Sequence, residues 1–206
     1  MSYPYRVVVT RSVQESVKGK DSSTNSISLT PILPEGKMQD LLCDALTKKG
    51  FEKQPDGTFT RTKDGVKETF DPKTMTITAS AESTGEIKKE KTVEARGDAS
   101  GSGNVERDRA HAEAEVGARL EKDLAVTDAE RRKKQEQLTA DARKRLEETE
   151  KARVQDLNEA TLDVYAEALK EKARSMGEVK EIRENKKENG TGGTEYELVI
   201  RVGENN

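Results

Sequence analysis

Few side chains in this 206-residue sequence are of the types that carry covalent or metal chemistry. The chain has one histidine, His111, and one cysteine, Cys43. A catalytic triad or a zinc site needs several such groups, so a single chain cannot assemble either one. We interpret His111, within RAHAEAE, as a solvated helix residue. We interpret Cys43, within an apolar helical pattern, as a buried structural thiol.

Carboxylates are plentiful, but no pair is marked out for acid–base catalysis. Glu147 and Glu148 are adjacent and Glu86 lies four residues before Glu90, a density expected by chance when 37% of residues are charged. A raised carboxyl pKa requires an apolar pocket, which a chain with 31% hydrophobic residues scarcely supplies. The glycines of GSG at 101–103 do not follow a strand, as a dinucleotide site requires. The sequence therefore predicts no catalytic, cofactor or metal site, and a protein that is not an enzyme.

The most concentrated charge lies in two basic clusters of a helical stretch. RRKK at 131–134 and RKR at 143–145 contain Arg131, Arg132, Lys133, Lys134, Arg143, Lys144 and Arg145. Between positions 128 and 188 there are 16 acidic and 16 basic residues, and the whole chain has a net charge of -3. That balance is typical of solvated helix faces and argues against a general polyanion binder. We predict that these seven side chains contact a partner protein, with nucleic acid as the alternative.

The residues described above must be positioned by the fold. Its first predicted part is a globular region at 1–97. This part contains five of the seven aromatic residues and all five prolines. YRVVVT and SISLTPIL predict two strands of a hairpin, joined by a mobile loop KGKDSSTNS. Apolar residues at three- and four-residue spacing from Met38 to Leu46 predict an amphipathic helix that ends at Gly50.

Turn signals follow that helix. Asp56-Gly57, Asp64-Gly65 and Asp71-Pro72 separate short apolar runs, which predicts a β-meander. The small polar residues at 98–104 predict a Gly/Ser linker.

Residues 105–149 have helical composition and contain no proline. TDAE at 127–130 matches a capping box, so a second helix should begin there after a reversal near 125–128. We expect Val116, Leu120 and Leu124 to face Leu138, Ala142 and Leu146 in a helical hairpin. An intermolecular coiled coil is the open alternative.

Residues 150–206 predict a helix, a stop at Gly177 and a C-terminal β-hairpin. Val179 and Ile182 are three apart, so either a bulge separates them or the helix runs further. The predicted fold class is therefore α+β, a small antiparallel sheet with packed helices and a protruding charged helical hairpin. The absence of an export signal, of a long apolar stretch and of a second cysteine predicts a cytoplasmic protein without a membrane span.

Two stretches carry a resemblance to a known family. LLCDALTKKGFEKQPDGTF and VYAEALKEKARSMGEVKEIRENKKENGTGGTEYELVIRV resemble small α+β proteins of unassigned activity that bacteria and plastids encode near FtsH-type AAA proteases. They are similar to the accessory domains of the FtsH ternary systems. The matching residues are Tyr165-Ala166, Gly177 and Leu198-Val199-Ile200-Arg201. The resemblance implies a role beside an AAA protease and brings no catalytic residues, while the charged stretch at 105–149 departs from the family pattern.

The functional prediction combines these observations. We expect a non-enzymatic adaptor or assembly module that binds a partner protein, such as an AAA protease or ATPase. Specificity would come from charge complementarity along 128–153. The alternative is a nucleic-acid-associated protein that uses the two basic clusters. Partner identity and oligomeric state stay open.

Overall fold

The structure is a computed structural model that describes residues 2–100, 105–188 and 194–203. Along these ranges the elements are β1 (Ser2–Ser26), α1 (Glu35–Lys48), β2 (Glu52–Lys53), β3 (Phe59–Lys63), β4 (Val66–Asp71), β5 (Thr76–Ser100), α2 (Val105–Leu124), α3 (Asp128–Met176), β6 (Glu178–Glu188) and β7 (Thr194–Gly203). One sheet has the strand order β1-β5-β4-β3-β2, and a second sheet contains β6 and β7. The α+β fold class is confirmed.

The predicted meander is confirmed for β2 to β5, which pair antiparallel in chain order. Its β3–β4 turn has positive φ at both central residues, 53° at Asp64 and 74° at Gly65, as a tight hairpin turn requires. The register places Phe59 opposite Phe70, and Phe70 opposite Ile77. These three residues therefore lie on one sheet face and supply its apolar side.

The predicted N-terminal hairpin is wrong. β1 runs without a break through KGKDSSTNS, the expected loop, and SISLTPIL leaves the sheet after its first residue. The polar segment stays extended because β5 lies beside it, as the hydroxyl contact of 2.9 Å between Thr24 and Thr78 shows. A neighbouring strand provides hydrogen-bond partners for the backbone N–H and C=O groups of residues whose own strand preference is low.

The predicted linker at 98–104 is wrong in its first part. β5 continues to Ser100, so residues 98–100 are strand, and 101–104 lie outside the described residues. The boundary predicted at 149 falls inside α3, which has no interruption there. The fourfold division into 1–97, 98–104, 105–149 and 150–206 itself stays a prediction.

Two compact units are formed from segments that are not consecutive in the chain. Unit 1 contains residues 1–19 and 82–141, and unit 2 contains residues 20–81 and 142–206. The division falls inside β1, β5 and α3.

Unit 1 contains α2 and the first turns of α3. The loop between them lies at 125–127, as predicted, and the capping box is confirmed. The Thr127 N–H donates to Glu130 Oε2 at 2.9 Å, and the Glu130 N–H donates to Thr127 Oγ1 at 3.3 Å. A Cβ at Gly19 would overlap the backbone of Leu138 and Thr139, so α3 approaches β1 there as closely as only glycine allows.

Unit 2 contains the larger core. Met38, Leu42 and Leu46 of α1 are buried with Phe59 and Phe70 of the sheet and with Val164 and Ala168 of α3. Gly50 has a φ of 87°, which confirms the predicted glycine after α1.

A second cluster in unit 2 packs Ala142 and Leu146 against Val66, Ala79 and Ala81. The predicted helical hairpin did not include this contact of α3 with strand residues. Leu169 of α3 is 42% exposed.

The C-terminal hairpin is confirmed, and it forms its own two-stranded sheet. Its register shifts between Val179 and Glu181, so of the two predicted alternatives the bulge is present. Lys170 of α3 forms ion pairs with Glu184 of β6 and, at 2.9 Å, with Glu167. Hydrogen bonds to these two carboxylates raise the pKa of Lys170, so the hairpin is held on α3 by a charged contact.

No helix within the described ranges combines the length and the apolar character needed to cross a lipid bilayer.

Candidate protein-binding site

The predicted basic residues at 131–134 lie in unit 1, on the first turns of α3. Arg131 is engaged within the unit, because its guanidinium donates to Glu15 at 2.6 and 3.1 Å and to Asp128 at 2.8 Å. These bonds raise the pKa of Arg131. Arg132 and Lys133 are exposed and have no ion-pair partner among the residues that the structure describes.

The predicted residues at 143–145 lie in unit 2. Arg143 pairs with Glu147 at 3.1 Å and Lys144 with Glu148 at 3.7 Å, all with largely exposed side chains. Exposed pairs four residues apart on a helix contribute about 0.3–0.5 kcal/mol each. The side chain of Arg145 lies near Gly65. The 143–145 cluster thus shows the i,i+4 pairing expected of a solvated helix face, whereas in the 131–134 cluster Arg131 pairs with Glu15 of β1 as well as with Asp128.

A groove of about 840 Å³ lies in unit 2 beside the first turns of α1. Its apolar lining includes Ile27, Leu29, Met38 and Met75, and its polar lining includes Gln39 and Lys73. We call it the α1 groove. Polar and apolar surface contribute about equally to this lining. Binding sites commonly place polar groups beside apolar side chains in this way.

The backbone on one side of the α1 groove belongs to no helix or strand and is largely unpaired. The Ile27 N–H donates to the Met75 carbonyl at 2.7 Å, and the Thr30 N–H donates to the Tyr165 hydroxyl at 2.9 Å. Between them, Ser28 and Leu29 form no hydrogen bond with any described residue. Two neighbouring residues thus present free donors and acceptors beside apolar side chains, as extended-peptide sites do.

The turn on the other side of the α1 groove is strained. Met75 has a φ of 51°, a left-handed conformation that costs a side chain other than glycine about 1–2 kcal/mol. The turn is held by Asp71 Oδ1, which accepts the Lys73 N–H at 2.9 Å, and by the Gln39 side-chain amide, which donates to the Pro72 carbonyl. Strain of this kind concentrates at functional positions.

Gly36 leaves one part of the α1 groove open. It lies in the first turn of α1 and lines the groove, and a Cβ added there would meet no atom within 4 Å. A Cβ at this position therefore displaces no neighbour, and we expect a larger side chain there to occupy part of the groove.

A second groove, of about 760 Å³, includes Cys43 in its lining. Cys43 is half-buried, and burial, together with Asp40 and Asp44, raises the pKa of its thiol. A thiol with a raised pKa is a poor nucleophile, which agrees with the structural role predicted for it. His111 is exposed on α2, as predicted. No group of three or more His, Cys, Asp or Glu side chains within the described part of the chain could hold a metal ion.

The most buried charges of unit 2 surround Arg61. Its guanidinium donates to Glu68 at 2.8 Å, to Asp156 of α3 at 2.9 Å and to the Lys49 carbonyl at 3.0 Å. It also lies 4.6 Å from the centre of the Phe51 ring. The contact with Asp156 joins β3 to α3, the contact with the Lys49 carbonyl joins β3 to the residue after α1, and the contact with Glu68 joins β3 to β4. The cluster therefore positions elements and leaves its charges paired with one another.

Sequence reasoning missed the α1 groove because it interpreted SISLTPIL as a strand. Pro31 and Pro34 carried the contrary signal, since proline removes a ladder donor and is confined to strand edges and ends. The Asp71-Pro72 break, which was recognised, forms the opposite side of the groove. The strained conformation of Met75 has no signal in the sequence.

Comparison with family models gives one match, to FtsH ternary system domain X5, over residues 1–203. Comparison with curated proteins and comparison with solved structures found no match. The matched range takes in both stretches that carry the resemblance, and also the charged stretch at 105–149. The chain therefore belongs to the FtsH ternary system domain X5 family.

Proposed function

We propose that this protein is a non-enzymatic adaptor or assembly module that binds an extended segment of a partner protein in the α1 groove. The observation that supports it most directly is the free backbone of Ser28 and Leu29 beside an apolar lining. A bound segment would pair its backbone with these two residues and turn alternate side chains toward the groove.

The side chains of the α1 groove suit such a ligand. Met38 and Met75 are unbranched and adaptable, so they can accommodate apolar side chains of different shapes. Gln39 uses its amide nitrogen on the Pro72 carbonyl, which leaves its oxygen to accept an N–H from the segment. Glu35 and Lys73 also line the groove, and their opposite charges would set the direction in which the segment binds.

Family membership directs the choice of partner. We propose that the partner is an AAA protease or ATPase of the same FtsH ternary system, or a protein bound to it. Of the seven predicted basic residues, Arg132 and Lys133 fit best as a separate surface that orients the encounter, because Arg131, Arg143 and Lys144 are paired within the chain. The same pairing weighs against the nucleic-acid alternative.

The test compares two substitutions of Gly36 in the full chain. Gly36→Trp should fill the α1 groove and weaken binding to the purified FtsH-type AAA protease of the same host at least about tenfold, equivalent to about 1.4 kcal/mol. Gly36→Ala is the matched control. It should bind as the wild type does, and its free energy of unfolding should rise by up to about 0.5–1 kcal/mol because helical glycine is unfavourable.

Unfolding curves of both variants establish that the fold is intact. Equal affinity of the Trp and Ala variants for the protease would contradict the groove as the binding site. Duplex DNA and RNA serve as further ligands, with Arg132→Gln and Lys133→Gln. Binding to nucleic acid alone, lost in these variants and steeply dependent on salt, would favour the alternative function.

A further inference from the structure

β1 is an edge strand, and in unit 1 it presents residues 2–19 along that edge. β5 is its neighbour on one side, as the 2.8 Å contact between the hydroxyls of Thr10 and Thr92 shows. No described strand pairs with the other side. An edge of this length offers a row of backbone donors and acceptors to another strand.

The sequence of this edge is self-complementary about Val13. Residues 9–17 are VTRSVQESV. Positions at equal distances on the two sides of Val13 form the pairs Ser12 and Gln14, Arg11 and Glu15, Thr10 and Ser16, and Val9 and Val17. In an antiparallel pair of identical strands centred on Val13, each residue lies opposite its counterpart in this series. Apolar residues then meet apolar ones, polar meet polar, and Arg11 meets Glu15.

The sheet faces agree with this register. The half-buried residues of the segment are Val9, Val13, Glu15 and Val17, which all have odd numbers, as does Arg11 on the same face. Pairing about Val13 places odd positions opposite odd positions, so the covered face continues into the second copy. Centring on Ser12 or Gln14 also preserves the faces, but it places Glu15 opposite a valine.

The charges of the free protein leave this contact available. Arg11 is exposed and has no acidic partner among the described residues, although its guanidinium lies near Gly117. The Glu15 carboxylate already accepts hydrogen bonds from the Arg131 guanidinium within unit 1. Because a carboxylate has about four lone-pair sites, Glu15 can accept a second guanidinium beside the first. Two-fold symmetry forms the Arg11–Glu15 contact twice.

The residues that usually protect a strand edge lie outside the self-complementary segment. Lysine and proline are absent from 9–17, whereas Pro4 precedes it and Lys18 and Lys20 follow it. In the register about Val13, Lys20 would lie opposite Arg6, so like charges limit the pairing to the central part of the strand.

We propose that β1 pairs antiparallel with β1 of a second copy of this chain, in a two-fold dimer centred on Val13. The two sheets then continue across the contact, and the valines of the covered face pack across the symmetry axis. This self-association is independent of partner binding in the α1 groove.

Sedimentation velocity over a range of concentrations tests the charge contact. The wild type should show a monomer–dimer equilibrium, and Arg11→Glu should raise its dissociation constant about tenfold or more, because two attractive contacts become two repulsive ones. Lys133→Glu makes the same charge change at an exposed residue without an ion pair, and it should leave the dissociation constant unchanged.

Cross-linking tests the register. In a Cys43→Ala background, Val13→Cys should form a disulfide-linked dimer on mild oxidation, because position 13 lies opposite itself. Val9→Cys should not, because position 9 lies opposite position 17. A wild type that is monomeric at every concentration would overturn the proposal. So would a dimer that is insensitive to Arg11→Glu, or one in which positions 9 and 13 cross-link equally.

Discussion

At the residue scale, the most buried charged contact of unit 2 is the one around Arg61. The side chains of Arg61 and Glu68 are 8% and 3% exposed, and Arg61 is the ion-pair partner that the structure gives Glu68. Asp156 adds a third member. Burial acts to raise the pKa of Asp156, but hydrogen bonds from Lys63 and Arg61 outweigh it and lower this pKa below its usual range.

Loss of Arg61 should therefore be costly. Arg61→Ala leaves the carboxylate of Glu68 buried without a partner, and removal of one member of a buried pair costs about 3–5 kcal/mol. Lys63→Ala is the matched control, because Lys63 pairs with the same Asp156 but is 49% exposed. It should cost about 1 kcal/mol or less. Urea unfolding of the two variants measures the difference, and equal losses would show that Arg61 is not the centre of the cluster.

Single residues were also where sequence reasoning was most successful. The predicted roles of His111, Gly50 and the Thr127–Glu130 pair follow from local rules that do not depend on distant segments. Arg61 could not be singled out, because one of its two carboxylate partners, Asp156, lies 95 residues further along the chain. The seven basic residues illustrate the same limit, since the pairing of Arg131 with Glu15 spans 116 positions.

At the scale of elements, the start of α3 is held by a carboxylate that is sensitive to acid. Lys89 donates to Glu130 at 2.7 Å and also to the Ala125 carbonyl at 3.1 Å, so β5 is tied to the loop before α3. Hydrogen bonds from Lys89 and from the Thr127 N–H and hydroxyl lower the pKa of Glu130 from 4.5 to about 2. The ionised form of Glu130 is thus favoured in the folded state.

The sign of the pH dependence follows from that shift. A lowered folded-state pKa contributes stability that is present above about pH 4.5 and is lost as the pH falls toward 2. Glu130→Gln should therefore lower the melting temperature at pH 6, and should lose less than the wild type between pH 5 and pH 2.5. Glu136→Gln, at an exposed position of the same helix, should retain the wild-type dependence. Parallel pH profiles for all three proteins would contradict this assignment.

The strands show why element boundaries were harder to predict than element types. The turn at Asp64-Gly65 was predicted, and the bulge after Val179 was one of two alternatives left open, because the spacing of a few residues determines both features. The path of β1 through KGKDSSTNS depends on β5, which is distant in sequence. Thr24 of β1 and its contact Thr78 of β5, for example, are more than fifty positions apart. Local preference favours a loop there, and the ladder with β5 overrides it.

At the scale of the whole molecule, composition limits the size of the core. A chain with 37% charged residues and 31% hydrophobic residues has a modest core, and the structure forms it as two units from non-consecutive segments. The division predicted from the sequence follows the order of the chain, because it rests on changes of composition along the chain. The observed units instead contain residues that lie close together in the fold. The α1 groove escaped prediction for the same reason, since segments 27–39 and 72–75 meet only in the fold.

The central claim is that the α1 groove receives a segment of another protein of the FtsH ternary system. The most direct measurement places a photo-reactive amino acid at Ser28 in the full chain, expressed in its native host. Irradiation should yield a covalent product with the FtsH-type AAA protease or a protein bound to it, identified by mass spectrometry. The product should persist with Gly36→Ala and disappear with Gly36→Trp. No product, or one that forms equally in the Gly36→Trp background, would contradict the claim.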